Sequence, residues 1–153
     1  MAEESVVTEE LRNMVGVEAE PEVFDVEKGH IRRFAEAVGD ANPLWQDDEY
    51  ARKSRYGNII SPPTFLQDEG TIKFADNLME IVNPARGFLN GGMEVECYKP
   101  MRPGDVITTR AKLGNLYEKQ GKMGEMLFMV VEVSYTNQRG ELVAIGRHTF
   151  IRR

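Results

Sequence analysis

The hydrophobic period of this sequence changes once, near Gly87, and that change restricts the fold more than any single motif does. Before it, apolar residues recur at helical spacing. Ile31, Phe34, Ala35 and Val38 stand at i, i+3, i+4 and i+7, with Arg32, Arg33 and Glu36 between them, which predicts an amphipathic helix closed by Gly39. Thr8 to Met14 predicts a shorter helix with Thr8 as N-cap, Glu9 and Glu10 in its first turn and Gly16 beyond its end. Val23 to Val26 is expected as a short strand, and Asp47 and Asp48 cap a helix from Glu49 to Ser54. Pro62 and Pro63 suit the opening of a longer, central helix carrying Phe65, Leu66, Ile72, Leu78 and Met79.

After Gly87 the period is two. Met93, Val95 and Cys97 alternate with Glu94, Glu96 and Tyr98, and that face predicts Cys97 as a buried hydrophobe. Pro100 to Asp105 is a turn, and Val106 to Leu116, Met126 to Tyr135 and Glu141 to Arg152 follow as strands separated by glycine-containing turns. Gly91-Gly92 marks a bulge or a close backbone approach, and Met123, Met126 and Met129 are packing residues. Helices first and hairpin-linked strands afterwards indicate an α+β fold, with a strongly curved antiparallel sheet wrapped over one buried helix.

Composition excludes several functions. With 153 residues the chain is expected to be a single domain over 1–153, since a chain of this size buries ~68–70% of its unfolded surface without staples. Two histidines and one cysteine are too few and too scattered for a zinc-type site, so neither a metal nor a cofactor is expected. Nineteen Lys and Arg against twenty-five Asp and Glu leave a net charge of −6, which disfavours nucleic acid and anionic membrane surfaces as partners. No apolar run approaches the ~18 residues of a membrane span. The acidic start MAEESVVTEE lacks the pattern of a signal peptide, and a cytoplasmic location is expected.

Two blocks carry a family resemblance. The stretch AVGDANPLWQDDEYARKSRYGNIISPPTF, Ala37 to Phe65, resembles the N-terminal dehydratase half of the MaoC-like (R)-specific enoyl-CoA hydratase superfamily. LNGGMEVECYKPMRPGDVITTRAKL, Leu89 to Leu113, is similar to that family's next two strands and their Pro-Gly-Asp turn. The resemblance covers roughly residues 8 to 152 and implies a hot-dog fold, a long helix wrapped by a curved antiparallel sheet. It further implies two sheets joined edge to edge in a homodimer or heterodimer with a second hot-dog chain. An acyl-CoA or acyl-ACP thioester would lie in a tunnel between the protomers.

The same resemblance exposes two departures. Active members carry Asp-x-Asn-Pro-x-His, whose Asp and His hold the water that adds to the enoyl double bond. This chain keeps Asp40, Asn42 and Pro43 but has Trp45 at the histidine position. Hydration needs one group to take a proton and another to deliver one, each worth ~10²–10⁴ in rate. Active members also enter the central helix through His-Gly, whose glycine N–H is implied as donor to the thioester carbonyl. Here the pair is Pro62-Pro63, which has no N–H to give and leaves Thr64 and Phe65 as the nearest amides. The Pro-Pro-Thr-Phe variant resembles non-catalytic subunits of heteromeric (R)-3-hydroxyacyl-thioester dehydratases and the N-terminal halves of fused double hot-dog hydratases. Both imply a half-site.

Each candidate also has a plain packing or turn explanation. Asp40 is the candidate catalytic carboxylate, or with Asn42 simply an Asx-type turn. Asn42, Trp45, Ser61, Thr64 and Phe65 are the candidate substrate contacts, while Trp45 also suits core packing or closure of the pocket. His148 is the second candidate catalytic group, aimed at helix or solvent according to strand parity; His30 is expected on the surface without a chemical role. Arg102, Arg110 and Lys112 suit CoA phosphates or a solvated face equally in kind. The leading expectation is an acyl-thioester-binding hydratase or dehydratase subunit, non-catalytic alone and paired with a catalytic hot-dog chain. The alternatives are an active homodimeric hydratase using Asp40 with His148 or water, and a non-enzymatic acyl-CoA-binding module.

Overall fold

The computed structural model describes residues 7–67, 71–82, 87–122 and 124–153. β1 (Glu22–Asp25), β2 (Phe88–Cys97), β3 (Val106–Gly121), β4 (Gly124–Thr136) and β5 (Leu142–Arg152) form one antiparallel sheet in the order β1-β3-β4-β5-β2. The alternation that defines these strands in sequence is also what orients them. On β4, Leu127, Met129, Val131, Val133 and Tyr135 are all buried, while the residues between them face the other side. Ile107, Thr109, Ala111 and Leu113 continue that inner face on β3 until a register shift between Leu113 and Asn115. β3 runs on to Gly121 and β4 starts at Gly124, so the hairpin is tighter and its strands longer than the sequence pattern predicts. β2 is bulged between Asn90 and Gly92, as the glycine pair suggests. Met129 is buried and Met126 half-buried, whereas Met123 lies outside the described residues.

The inner face is covered by α4 (Thr71–Val82), whose Phe74, Ala75 and Leu78 are buried and which packs on β3 and β4. The expected central helix does not begin as an α-helix. Pro62 and Pro63 open a 3-10 turn, Pro63–Gln67, closed by the Phe65 N–H donating to the Pro62 carbonyl at 3.0 Å. Residues 68–70, between this turn and α4, lie outside the described residues.

The smaller helices follow their local signals. α1 (Glu9–Met14) is capped by the Thr8 hydroxyl, which accepts the Leu11 N–H at 3.2 Å, and its Leu11 is buried. A strap follows it along β3, with Gly16 N–H on the Leu113 carbonyl and Ala19 N–H on the Ala111 carbonyl. α2 (Lys28–Val38) buries Ile31 and Ala35 and ends at Gly39 in the left-handed conformation, φ 72°. Its buried stripe stops one turn early: Val38 is exposed. α3 (Asp48–Lys53) begins under Asp47, whose Oδ1 accepts the Glu49 and Tyr50 N–H groups.

The outer face carries a ladder of charge. Lys112 on β3 pairs with Glu132 on β4 at 3.2 Å, Glu132 with Arg147 on β5 at 2.9 Å, Arg147 with Glu96 on β2, and Glu96 accepts the Tyr98 hydroxyl at 2.8 Å. Cys97 at the end of β2 is exposed rather than buried. It closes the outermost strand, where the alternating face runs past its helical cover.

Candidate functional site

The loop after α2 is built mainly from short-range hydrogen bonds, with the Leu44 carbonyl accepting the Ile60 N–H at 3.4 Å. The Asp40 N–H returns to the Ala35 carbonyl at 2.9 Å, Asp40 Oδ1 accepts the Asn42 N–H at 3.0 Å, and Asn42 Oδ1 accepts the Leu44 N–H at 3.0 Å. Asn42 thereby caps a 3-10 turn, Pro43–Trp45, which swings the Trp45 indole back over Asp40. Trp45 Nε1–H donates to Asp40 Oδ2 at 2.8 Å, and the indole is only 7% exposed. Both carboxylate oxygens of Asp40 are therefore engaged by groups of the same loop. The Asx turn and the packed tryptophan are both present, joined by a bond that neither reading alone contained.

Trp45 forms part of the wall of a cavity of about 270 Å³. Ile60, Pro62 and Leu66 line it from the helical side, and Met101, Val143 and Ala144 from the sheet and its adjoining loop. Ser61 lines it too, its N–H holding the Met101 carbonyl at 2.9 Å and so fixing the pre-helical segment to the loop after β2. The mouth is formed by Arg55, Tyr56, Cys97, Tyr98 and Lys99. Desolvation pushes the Cys97 thiol above its ordinary pKa, opposite to the direction a reactive thiolate needs.

The candidate residues from sequence divide sharply at this cavity. Trp45 and Ser61 line it, and Asp40 reaches it only through Trp45. Asn42 is spent on its turn, Thr64 is exposed, and Phe65 is buried edge-on against His30 at 4.8 Å and Phe34 at 5.6 Å between ring centres. Phe65 is thus a packing residue and Thr64 is turned to solvent, so neither lines the cavity. His30 is half-buried against Phe65 rather than free on the surface.

His148 lies elsewhere. On β5 it is opposite Val131 and Met93, stacks on Phe150 at 4.3 Å, and places Nε2 3.0 Å from Asn90 Oδ1. Its Nδ1 is buried without a partner, and desolvation lowers the pKa of the ring. Neither Asp40 nor His148 lines either of the two described cavities. The residues that sequence reasoning missed are Tyr56, Arg55 and Tyr135. Tyr135 is fully buried, and its hydroxyl donates to the Leu66 carbonyl at 2.8 Å, pinning the 3-10 turn to the sheet.

Tyr135 also stands between two cavities. Glu22, Thr109, Tyr135, Ala144 and Cys97 are successive cross-strand partners in one row. Ala144 and Cys97 line the cavity just described; Glu22 and Thr109 line a second of about 260 Å³, with Lys73, Asn77 and Phe74 of α4 above them. Among the described residues no three His, Cys, Asp or Glu side chains are grouped to hold a metal ion.

A family model described as the FAS1-like dehydratase domain region matches residues 13–145. The chain belongs to this dehydratase family. Among dehydratase-family relatives, a UPF0336 protein of Parafrankia sp. (strain EAN1pec) is 31% identical over 135 residues, covering 85% of each chain. A probable enoyl-CoA hydratase alpha subunit of Thermomonospora curvata is 30% identical over 141 residues, 80% of this chain and 43% of that longer protein. The C-terminally truncated HadBC complex of Mycobacterium tuberculosis, a (3R)-hydroxyacyl-ACP dehydratase, superposes with a TM-score of 0.75 at 24% identity, over 90% of this chain and 96% of that chain. The α+β architecture is a hot-dog fold of the MaoC-like dehydratase type, as the resemblance implies. No helix among the described residues is long and apolar enough to cross a membrane.

Proposed function

We propose that this chain is the acyl-thioester-binding subunit of an (R)-3-hydroxyacyl-thioester dehydratase or enoyl-CoA hydratase, non-catalytic by itself and paired with a second hot-dog chain that brings the acid–base groups. The observation that carries this reading is the Trp45 Nε1–H bond to Asp40 Oδ2. An indole N–H donates but does not titrate, so the partner of the Asp40 carboxylate can hold it in place and cannot relay a proton. The oxyanion donor is depleted as well. Pro62 and Pro63 have no N–H, and the Phe65 N–H is already bonded to the Pro62 carbonyl.

Two further features support the reading. The cavity beside Trp45 has an apolar interior open to the surface, the form expected of an acyl site. β2 is ten residues long, lies at the edge of the sheet and pairs within the chain only with β5, which suits edge-to-edge addition of a second sheet. The heteromeric dehydratase complex among the structural neighbours points the same way. The active single-chain alternative lacks this support, because Asp40 is held by Trp45 and His148 by Asn90, and neither lines the described cavities.

The test is hydration of crotonyl-CoA by the purified chain, followed by loss of enoyl-thioester absorbance. Negligible turnover is expected alone, with binding of crotonyl-CoA detected by titration calorimetry. Sustained turnover that Asp40→Asn abolishes would overturn the proposal in favour of an active homodimer.

A further inference from the structure

β4 stands in the middle of the sheet with a strand on each side, yet none of its outward residues from Met126 to Thr136 is buried. The described part of the chain leaves that face open. What lies on it is not uniformly polar. Tyr117 on β3, Phe128 on β4, Ile151 on β5 and Leu89 on β2 are successive cross-strand partners, so four apolar side chains form one row across the sheet. The Tyr117 and Phe128 rings stack at 5.0 Å and 7° from parallel, and Leu89 is 43% exposed. The Lys119 ammonium lies 5.3 and 5.2 Å from the two ring centres and closes the row on the hairpin side. Val130 and Thr149 extend it the other way. A contiguous apolar band on an open sheet face marks an interaction surface.

The charge ladder identifies what covers the band. Lys112, Glu132, Arg147 and Glu94 are also successive cross-strand partners, so the row reads plus, minus, plus, minus from β3 to β2. The ion pairs within the chain join Lys112, Glu132 and Arg147 and then turn aside to Glu96, leaving Glu94 exposed at the end of the row.

A row of four strictly alternating charges is complementary to itself when reversed. A two-fold axis parallel to the strands performs that reversal, because it lays β3 over the β2 of a second copy and β4 over its β5. Lys112 then faces Glu94 of the second copy, and Glu132 faces its Arg147. The same rotation sets Tyr117 against Leu89 and Phe128 against Ile151, apolar on apolar. An axis across the strands instead puts each ladder residue over its own twin or off the ladder altogether. Sheets pack face to face about 10 Å apart with their strands within about 30° of each other, which suits the aligned arrangement.

We propose that the outer face of the sheet is an interface between two copies of this chain, packed sheet on sheet with the ladder of each reversed against the other. The contact uses neither cavity and leaves the hydrogen-bonding edge of β2 free. It is therefore independent of the acyl-site reading, and it carries two half-sites back to back.

Sedimentation velocity and cross-linking of the full chain test it. The parent is expected to form a concentration-dependent species heavier than the monomer. Glu94→Lys sets two cations against each other, twice over in a two-fold interface, and should weaken association roughly tenfold. Phe128→Lys places a charge in the centre of the apolar row and should abolish the contact. Glu94→Lys alters an exposed side chain on the edge strand, so it reads the interface even if Phe128→Lys folds poorly.

A zero-length carbodiimide link between Lys112 and Glu94 locates the contact. Within one chain β3 and β2 are three strand spacings apart, about 14 Å, too far for such a link. In a mixture of isotopically heavy and light chains it should therefore join heavy to light, and it should vanish in Phe128→Lys. Lys112 and Glu132, 3.2 Å apart, link within one chain and serve as the internal control. A chain that stays monomeric throughout its soluble range overturns the interface, as does association that both variants leave unchanged. Association without the heavy-to-light link overturns it too, since pairing of two β2 edges keeps Lys112 far from either Glu94.

Discussion

Two cavities of nearly equal size flank Tyr135, one of about 270 Å³ and one of about 260 Å³, and their chemistry is opposite. The first has an apolar interior with Arg55 in its lining, a guanidinium that no carboxylate pairs with among the described residues and that donates to the Tyr56 hydroxyl. The second has Lys73 closed on Glu22, with Glu20 as a further carboxylate in its lining. The second lining is thus net acidic through Glu20, whereas Arg55, held only by a neutral tyrosine, keeps its positive charge in the first. Volume alone would not tell the two apart. The difference in charge supports the first as the acyl-thioester site proposed above, and in the second the Lys73–Glu22 pair joins α4 to β1.

The divider between the cavities gives the largest expected effect. Tyr135→Ala removes a fully buried aromatic ring and should cost about 3–5 kcal/mol in urea unfolding, and it should merge the two spaces. Tyr135→Phe keeps the ring but strands the Leu66 carbonyl, at about 1–3 kcal/mol. If the phenylalanine variant is as stable as the parent, the hydroxyl does not pin the turn and the two cavities are not separated by it.

Next comes the wall of the first cavity. Asp40→Ala leaves the buried Trp45 N–H and the Asn42 N–H without their acceptor, which should cost about 1–3 kcal/mol. The same variant should leave turnover of a reconstituted heteromeric complex nearly unchanged, and a collapse of that rate with the fold intact would return Asp40 to the chemistry. Lys73→Met probes the second cavity by the same logic. Its ion pair is exposed, so the urea midpoint and crotonyl-CoA affinity should both stay where they are.

The smallest effect is at low pH. Hydrogen bonds from Lys99, then Asn137 and Arg139, hold the Glu141 carboxyl down to about 2 from an ordinary 4.5. A carboxyl depressed in the folded state contributes stability that is fully present above 4.5 and is lost as pH falls through about 2. Acid unfolding of the parent should therefore steepen in that window, and Glu141→Gln should flatten it. Because Glu141 closes Lys99 in the way Glu22 closes Lys73, the Gln variant also adds an open cation to the mouth of the first cavity. Crotonyl-CoA binding to that variant at neutral pH should tighten slightly; weakening would argue against charge closure as the distinguishing property.

What was legible in the sequence is what short-range chemistry decides. Thr8, Gly39 and Asp47 announce helix ends because a cap is made within three or four residues, and alternation announces β3, β4 and β5 because side-chain direction repeats every two. Cys97 follows the same alternation and is nevertheless exposed, since periodicity identifies a face but not how far its cover extends. Pro62 and Pro63 are a genuine helix-start signal, and the turn they open is a 3-10 turn, Pro63–Gln67, because the Phe65 N–H closes on the carbonyl three residues back. At the site, Asp40 and Trp45 were each legible and their bond was not, although a five-residue separation across a proline-opened turn is a spacing that returns a side chain to its start. Arg55, Tyr56 and Arg102 meet across 46 positions of sequence, and no local pattern encodes such a meeting.

The charge ladder on the outer face has a role distinct from cohesion. Its members are substantially exposed, and exposed pairs contribute ~0–1 kcal/mol each. Moving β4 by one residue against β5 would turn Glu132 inward among the core side chains. Moving it by two would set Arg147 opposite Val130 or Ser134 in place of Glu132. Either slip of β4 against β5 thus parts the opposite charges of Glu132 and Arg147, and the ladder favours the observed register over its near neighbours.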